Sequence, residues 1–381
     1  MDYFLDQTRP NLRYGYTTGT CAALAAKAAA QMLLSGQAVS SVAVKTPKGV
    51  VITAQPEDIA REPDRVSCAV RKDSGDDPDI TDGILVYASV LYKDGGGITV
   101  EGGNGVGRVT REGLSCPVGS AAINPQPRKQ IIQAVTEAAE EFGCLCGFEV
   151  IISVPGGERL AKKTFNPRLG IEGGISILGT SGIVEPMSDA ALLESIRLEI
   201  SVLHAAGHQT LLMTPGNYGE TFASETLSLT GAPMFQCSNF IGDTLDMLRQ
   251  ADIRSVLLVG HIGKLVKLAG GMMNTHSKYG DCRLELMSVY AVLSGAGRET
   301  AEAVMDCITT EAALSVLEQA GWLKETISRV MRAIEAQLTR RAGSVAVGVV
   351  MFAKPYGLLG KTENADLLIE ELKKEQGKGN R

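Results

Sequence analysis

Apolar and polar positions change rhythm along the chain, and the change divides it. Residues 21–34, CAALAAKAAAQMLL, are apolar at nearly every position, and alanine and leucine at that density predict a strong helix. Thr17, Thr18 and Thr20 stand ahead of it as candidate caps, so RYGYTTGT leads into a helix start whose free N–H groups and dipole favour an anion. SVAVKTPKGVVITA (41–54) alternates on both sides of Pro47-Lys48-Gly49 and predicts a β-hairpin. Strands are expected at RVSCAVRK (65–72), GILVYASVLY (83–92) and FEVIISVPGG (148–157), with an amphipathic helix at RKQIIQAVTEAAEEFG (128–143). Between them residues 94–128 are rich in glycine, which means tight turns or backbone pressed close to a ligand.

After NPRLGIEGG (166–174) the scheme becomes apolar strand, small-residue turn, helix, repeated at 175–201, 210–220, 234–251 and 255–271. That is a βαβ series, which builds a parallel sheet and gathers ligands at the carboxyl ends of its strands. We therefore expect an α+β domain over 1–170 and an α/β domain over 171–335. SVAVGVVMFAK (344–354) is one more strand, and an isolated strand needs a sheet, so residues 340–360 are expected to rejoin the first domain. Residues 361–381 read as a polar, frayed tail.

Composition narrows the function classes. The 381 residues exceed what one core usually holds, and 44% hydrophobic with 21% charged residues is the balance of a folded protein. A net charge of −6 without a basic block lacks the electrostatic footprint of a nucleic-acid binder. The N-terminus has neither the basic start nor the apolar core of a signal peptide, and no apolar run could span a bilayer, so a cytoplasmic protein is expected. The eight cysteines are scattered, with Cys144 and Cys146 the one close pair. Reduced structural thiols are the expectation, and a protein-bound metal is not: His204 and His208 share a helix face without a third ligand nearby.

Four stretches could carry chemistry. LGTSGIVEPMSD (178–189) brackets Thr180 and Ser181 between Gly179 and Gly182, which suits close approach to a ribose or an amino-acid moiety but also an ordinary tight βα turn. Residues 259–285 hold His261, Lys264, Lys267, His276, Lys278, Asp281 and Arg283. His276 lies among polar neighbours able to orient its ring, whereas Lys264 and Lys267 read as a solvated helix face. The acidic loop DSGDDPDITD (73–82) lacks EF-hand spacing and reads first as a backbone-capping turn. Arg108, Arg111 and Arg128 could fork onto a polycarboxylate, or simply be exposed.

Taken together, GYTTGTCAA, DSGDDPDIT, GVGRVTREGL, INPQPR, FNPRLGIEGGISILGTSGIVEPMS and THSKYGDCRLE resemble the CbiD family, the cobalt-precorrin-5B C1-methyltransferases of anaerobic cobalamin biosynthesis. The resemblance runs from about residue 13 to about residue 355. It implies methyl transfer from S-adenosylmethionine to C1 of a corrinoid, giving cobalt-precorrin-6A, with cobalt carried in by the substrate. It also implies a fold of α+β and α/β parts, a ribosomal-S5-domain-2-like domain joined to a Rossmann-like domain. On this reading S-adenosylmethionine would rest on Gly179, Thr180, Ser181, Gly182, Thr214, Gly216, Asn217, Gly260 and His261. The carboxylates of the macrocycle would fall to Thr17, Thr18, Thr20, Arg108, Arg111 and Arg128. His276, or Asp281 acting through it, would remove a proton if one must leave. Neither nucleic acid nor membrane is an expected partner, and a homo-oligomer stays open. Two rivals also stay open: a small-molecule kinase, although no P-loop is present, and a noncatalytic corrinoid carrier.

Overall fold

The computed structural model describes residues 5–6 and 9–376, which form two units, one ending at Asp189 and the other starting at Ala190. Parallel and antiparallel strand pairing both occur, so the fold is mixed α/β.

The first unit is built on a five-stranded sheet in the order Glu57–Glu62, Arg65–Arg71, Leu85–Lys93, Gly147–Ser153, Ile98–Gly102. All neighbours are antiparallel except the last pair. The helix Thr18–Ser35 packs against this sheet, against the helix Pro125–Glu141 and against the hairpin Val42–Lys45/Val51–Ala54. From Cys21 to Ala30 every residue but Lys27 is fully buried. Alanine explains this, because its short side chain lets a helix accept close neighbours on all sides. Lys27 escapes by reaching Glu137 at 2.6 Å.

Gly105, Gly157 and Gly174 press backbone against backbone. A Cβ on Gly105 would stand 1.8 Å from the carbonyl oxygen of Val154, and Cβ atoms on Gly157 and Gly174 would stand 2.1 and 2.2 Å from that of Gly105. Three loops cross there with no room for a side chain.

In the second unit a five-stranded sheet runs in the order Met234–Gln236, Thr210–Thr214, Ser255–His261, Ala346–Ala353, Gly357–Lys361. The first four strands are parallel and the last is antiparallel. Leu212, Leu257 and Val350 pack on one face with the helices Asn217–Glu225 and Ala365–Glu375. Met213, Leu258 and Val349 pack on the other with Ile241–Gln250, Ile262–Ala269 and Leu323–Ala342. Burial on both faces is why these strands are almost continuously apolar.

Three domain expectations are corrected. The break falls near 189 rather than 170, because Val109 pairs with Ile171 and Ile123 bridges Ile177, which ties 171–182 to the first unit. The strand Ala346–Ala353 does not rejoin the first unit; it lies parallel to Ser255–His261, where both of its apolar faces are covered. Nor is 361–381 a polar tail throughout. Ala365, Leu368, Ile369 and Leu372 are buried on one side of the helix Ala365–Glu375, while residues 377–381 lie outside the described residues.

Candidate functional site

In the second unit the chain passes from Thr210–Thr214 to Met234–Gln236 on one side, then crosses to Ser255–His261 on the other. Strand order therefore reverses between Thr210–Thr214 and Ser255–His261, and the connections leaving their carboxyl ends diverge to opposite faces, which opens a crevice. Five of the expected residues flank it: Thr214, Gly216 and Asn217 after one strand, Gly260 and His261 at the end of the other.

Thr214 is fully buried and its Oγ1 has no hydrogen-bond partner. Gly216 faces open space, with no atom within 4 Å of where a Cβ would stand. The side chain of Asn217 is fixed by Gln236, whose Nε2 donates to Asn217 Oδ1 at 2.9 Å and to Glu220 Oε2 at 3.0 Å. His261 caps the next helix, its Nδ1 accepting from the Gly263 N–H at 3.1 Å. The neutral ring must then carry its hydrogen on Nε2, which points at Glu311 Oε1 3.1 Å away. Burial pulls the His261 pKa down, Glu311 opposes that, and Lys354 adds to it.

Sequence reasoning passed over Lys264, on the helix Ile262–Ala269. Its Nζ lies 3.4 Å from the carbonyl oxygen of Pro215, so it bridges the two strand ends. The side chain is half-buried and burial pulls its pKa down. The solvated helix face expected of Lys264 and Lys267 is thus corrected. Lys267 is only 4% exposed, and its Nζ donates to the carbonyls of Thr275 and Gly280 at 3.2 and 3.0 Å. Nothing in a three-residue spacing separates one lysine that closes a loop from one that faces a crevice.

The remaining expected residues serve the first unit or lie elsewhere. The turn Gly179–Gly182 folds onto the start of the helix Thr18–Ser35. Thr18 Oγ1 accepts from the Leu178 N–H at 3.0 Å, and Thr20 Oγ1 donates to the Gly182 carbonyl at 2.8 Å. Thr17, Thr18 and Thr20 are at most 6% exposed, so the helix start expected to hold an acid group is closed by its own chain. Glycine is required because a Cβ on Gly179, at φ +136°, would stand 2.3 Å from Thr17 Oγ1. Ser181 Oγ accepts from the Ile183 N–H at 3.2 Å, while Thr180 is exposed. The expected donor-binding set is therefore split between the two units.

Arg108 pairs with Glu101 at 2.8 Å, and Arg128 donates to the Val100 carbonyl. Arg111 is exposed, its stem lying over Gly170. The acidic loop is a capping device: Asp73 pairs with Arg13, Asp82 accepts from the Ser74 N–H, and Asp79 holds the buried Lys72 at 2.7 Å. Asp281 is not hydrogen-bonded to His276 among the described residues. It is bound by Arg283 at 2.7 and 2.6 Å, which pulls its pKa down. His276 is exposed, and its Nδ1 accepts from the Lys278 N–H at 3.0 Å. A groove of about 650 Å³ between the helix Leu323–Ala342 and the strand Gly357–Lys361 has an apolar floor of Leu323, Ile327, Met331 and Leu358. Among the described residues no helix is long and apolar enough to cross a membrane, and no three His, Cys, Asp or Glu side chains gather as metal ligands.

Comparison with known proteins adds an independent line. The CbiD family model matches residues 5–186, and the model of the CbiD C-terminal domain matches residues 274–363. A cobalt-precorrin-5B C(1)-methyltransferase of Ruminiclostridium cellulolyticum is 46% identical, covering 100% of both chains. One of Alkaliphilus metalliredigens is 42% identical over 98% of this chain and 99% of its own. A crystal structure of a cobalamin biosynthesis protein (CbiD) from Archaeoglobus fulgidus is 30% identical over 70% of this chain and 84% of its own, with a TM-score of 0.39. Two family models in sequence order, and relatives above 40% identity along the whole length, place the chain in the CbiD family.

Proposed function

We propose that the chain is a methyltransferase of cobalamin biosynthesis that carries the methyl group of S-adenosylmethionine to C1 of cobalt-precorrin-5B, giving cobalt-precorrin-6A. One observation carries this reading: end-to-end identity of 46% with a protein named for that reaction. On the same reading the first unit is ribosomal-S5-domain-2-like, the second Rossmann-like, the setting cytoplasmic, and the cobalt enters with the substrate.

S-adenosylmethionine supplies a methyl group on a sulfonium, open to in-line attack by a carbon nucleophile. Thr214, Gly216, Asn217, Gly260 and His261 suit this donor, because an orphaned buried hydroxyl and an unfilled glycine lie at one strand end. The chain contributes position above all; holding the two reactants in line is worth about 7–11 kcal/mol in favourable systems. His261 keeps its ring fixed between Gly263 and Glu311, so it orients and does not exchange protons. Of the expected three, Arg108 is paired with Glu101 and Arg128 is held by the Val100 carbonyl, so the exposed Arg111 suits a carboxylate of the macrocycle.

Turnover of cobalt-precorrin-5B with S-adenosylmethionine tests the proposal, followed by mass gain of one methyl group. Calorimetric titration with S-adenosylhomocysteine should show one saturable site, and an ATP analogue with magnesium should show none. Binding of the ATP analogue alone would favour a kinase. Binding of corrinoid without methyl transfer would favour a carrier.

A further inference from the structure

The structure assigns to Lys264 the reception of a ligand carboxylate, an inference that rests on the crevice being the ligand site proposed above. The Nζ of Lys264 is half-buried and meets one carbonyl oxygen, that of Pro215, at 3.4 Å. No carboxylate among the described residues forms an ion pair with it. A partly desolvated ammonium without a counter-charge is unfavourable, and an incoming anion would remove that penalty.

Three further features converge on the same corner. The helix Asn217–Glu225 starts immediately after Pro215 and Gly216. The N–H groups of Gly219 and Glu220 both donate to the Gly216 carbonyl, at 3.0 and 3.3 Å, whereas those of Asn217 and Tyr218 have no partner among the described residues. Thr214, at the root of the same turn, holds the buried hydroxyl without a partner. Lys354, whose Nζ lies 4.5 Å from the centre of the Tyr218 ring, adds a second cation without an ion pair among the described residues. The acidic groups beside this corner are engaged, Glu220 by Gln236 at 3.0 Å and Glu311 by His261 at 3.1 Å. Free N–H groups, a helix dipole and an unneutralised ammonium together form an anion site.

A sulfonium would be repelled by this corner, so the carboxylate comes either from the amino-acid end of the methyl donor or from the rim of the macrocycle. Calorimetric titrations of wild type, Lys264→Met and Lys264→Arg separate the two. The probes are S-adenosylhomocysteine, 5′-methylthioadenosine, which lacks the amino-acid carboxylate, and cobyrinic acid. If the donor supplies the group, Lys264→Met weakens S-adenosylhomocysteine about tenfold or more and leaves 5′-methylthioadenosine unchanged, while Lys264→Arg retains most of the affinity. If the macrocycle supplies it, cobyrinic acid weakens instead. Wild-type affinities for both carboxylate probes in Lys264→Met overturn the assignment alone. A wild-type protein that binds none of the probes overturns the methyltransferase reading, and this site falls with it. Should Lys264→Met fail to fold, Lys264→Gln keeps a polar end and serves in its place.

Discussion

The Nζ of Lys264 lies 3.4 Å from the carbonyl oxygen of Pro215, so a side chain from the helix after one strand touches the turn after its neighbour. Because burial holds the Lys264 pKa below its ordinary 10.5, the ammonium gives up its proton earlier than an exposed lysine would. Affinity for a carboxylate ligand should therefore fall as pH rises through that lowered value. Cys237, the other titratable group acting on it, is pushed up to about 12 and remains a thiol, and His261, pulled below 6.5, is already neutral. Titrations of S-adenosylhomocysteine from about pH 7 to about pH 10 should show the decline in wild type and a flat profile in Lys264→Arg, whose guanidinium keeps its proton.

His276→Ala should retain turnover within about twofold. With Nδ1 accepting from the Lys278 N–H, the neutral ring carries its hydrogen on Nε2 and presents no free lone pair there. A general base normally contributes about 10²–10⁴ in rate, so a loss of that size under single-turnover conditions would restore His276 to the chemistry.

Gly105→Ala should collapse the first unit. The new Cβ would stand 1.8 Å from a backbone carbonyl, at a φ of +74° that L side chains rarely adopt. Neither the Val154 strand end nor the Gly174 turn can yield without breaking its own hydrogen bonds, so the cost should reach about 4 kcal/mol or more. Soluble yield and thermal melting report it; a variant melting within a few degrees of wild type would mean that the three-loop crossing relaxes.

Asp73→Asn should cost about 0.5–1 kcal/mol at neutral pH, a small figure because both partners of the Arg13–Asp73 pair are well exposed to solvent. The hydrogen bond from Arg13, with that from the Gly75 N–H, holds the Asp73 pKa below its ordinary 3.8. A carboxylate with a lowered folded pKa stabilises the fold above its ordinary value and loses that contribution as pH falls through the lowered one. Wild type and variant should thus differ in urea midpoint at neutral pH and converge only as pH falls below that lowered pKa.

Periodicity revealed the elements because it is local. The alanine run, the Pro47-Lys48-Gly49 hairpin and the strands 65–71, 85–93 and 147–153 all lie where spacing puts them. Partnership was not legible. Ile175 and Ile177 look alike whether they open a new sheet or bridge back to Val106 and Ile123. Leu368 and Leu372 were masked by the acidic and basic residues around them, although their spacing marks one helix face. The glycine turn at 179–182 did signal close approach, but what approaches is the hydroxyl-bearing start of the first helix. Of the expected ligand residues, those at the parallel strand ends came together because topology alone fixes where strand ends meet, whereas cationic and titratable residues depended on packing that spacing does not encode.

The place of the strand Ala346–Ala353 has a consequence for how the chain is made. It fills the fourth position of its sheet, between Ser255–His261 and Gly357–Lys361, and the helix Ala365–Glu375 closes one face behind it. A ribosome must have made everything before Ala346 by the time that gap can be filled. The first unit is complete on leaving the tunnel and can settle at once, while the second waits with the Ser255–His261 edge unpaired and an apolar face open. Nascent chains stalled before residue 346 should accordingly show protease resistance up to about residue 189 and bind a chaperone beyond it. The burden of quality control during synthesis thus falls on the half that holds the strand-end crevice.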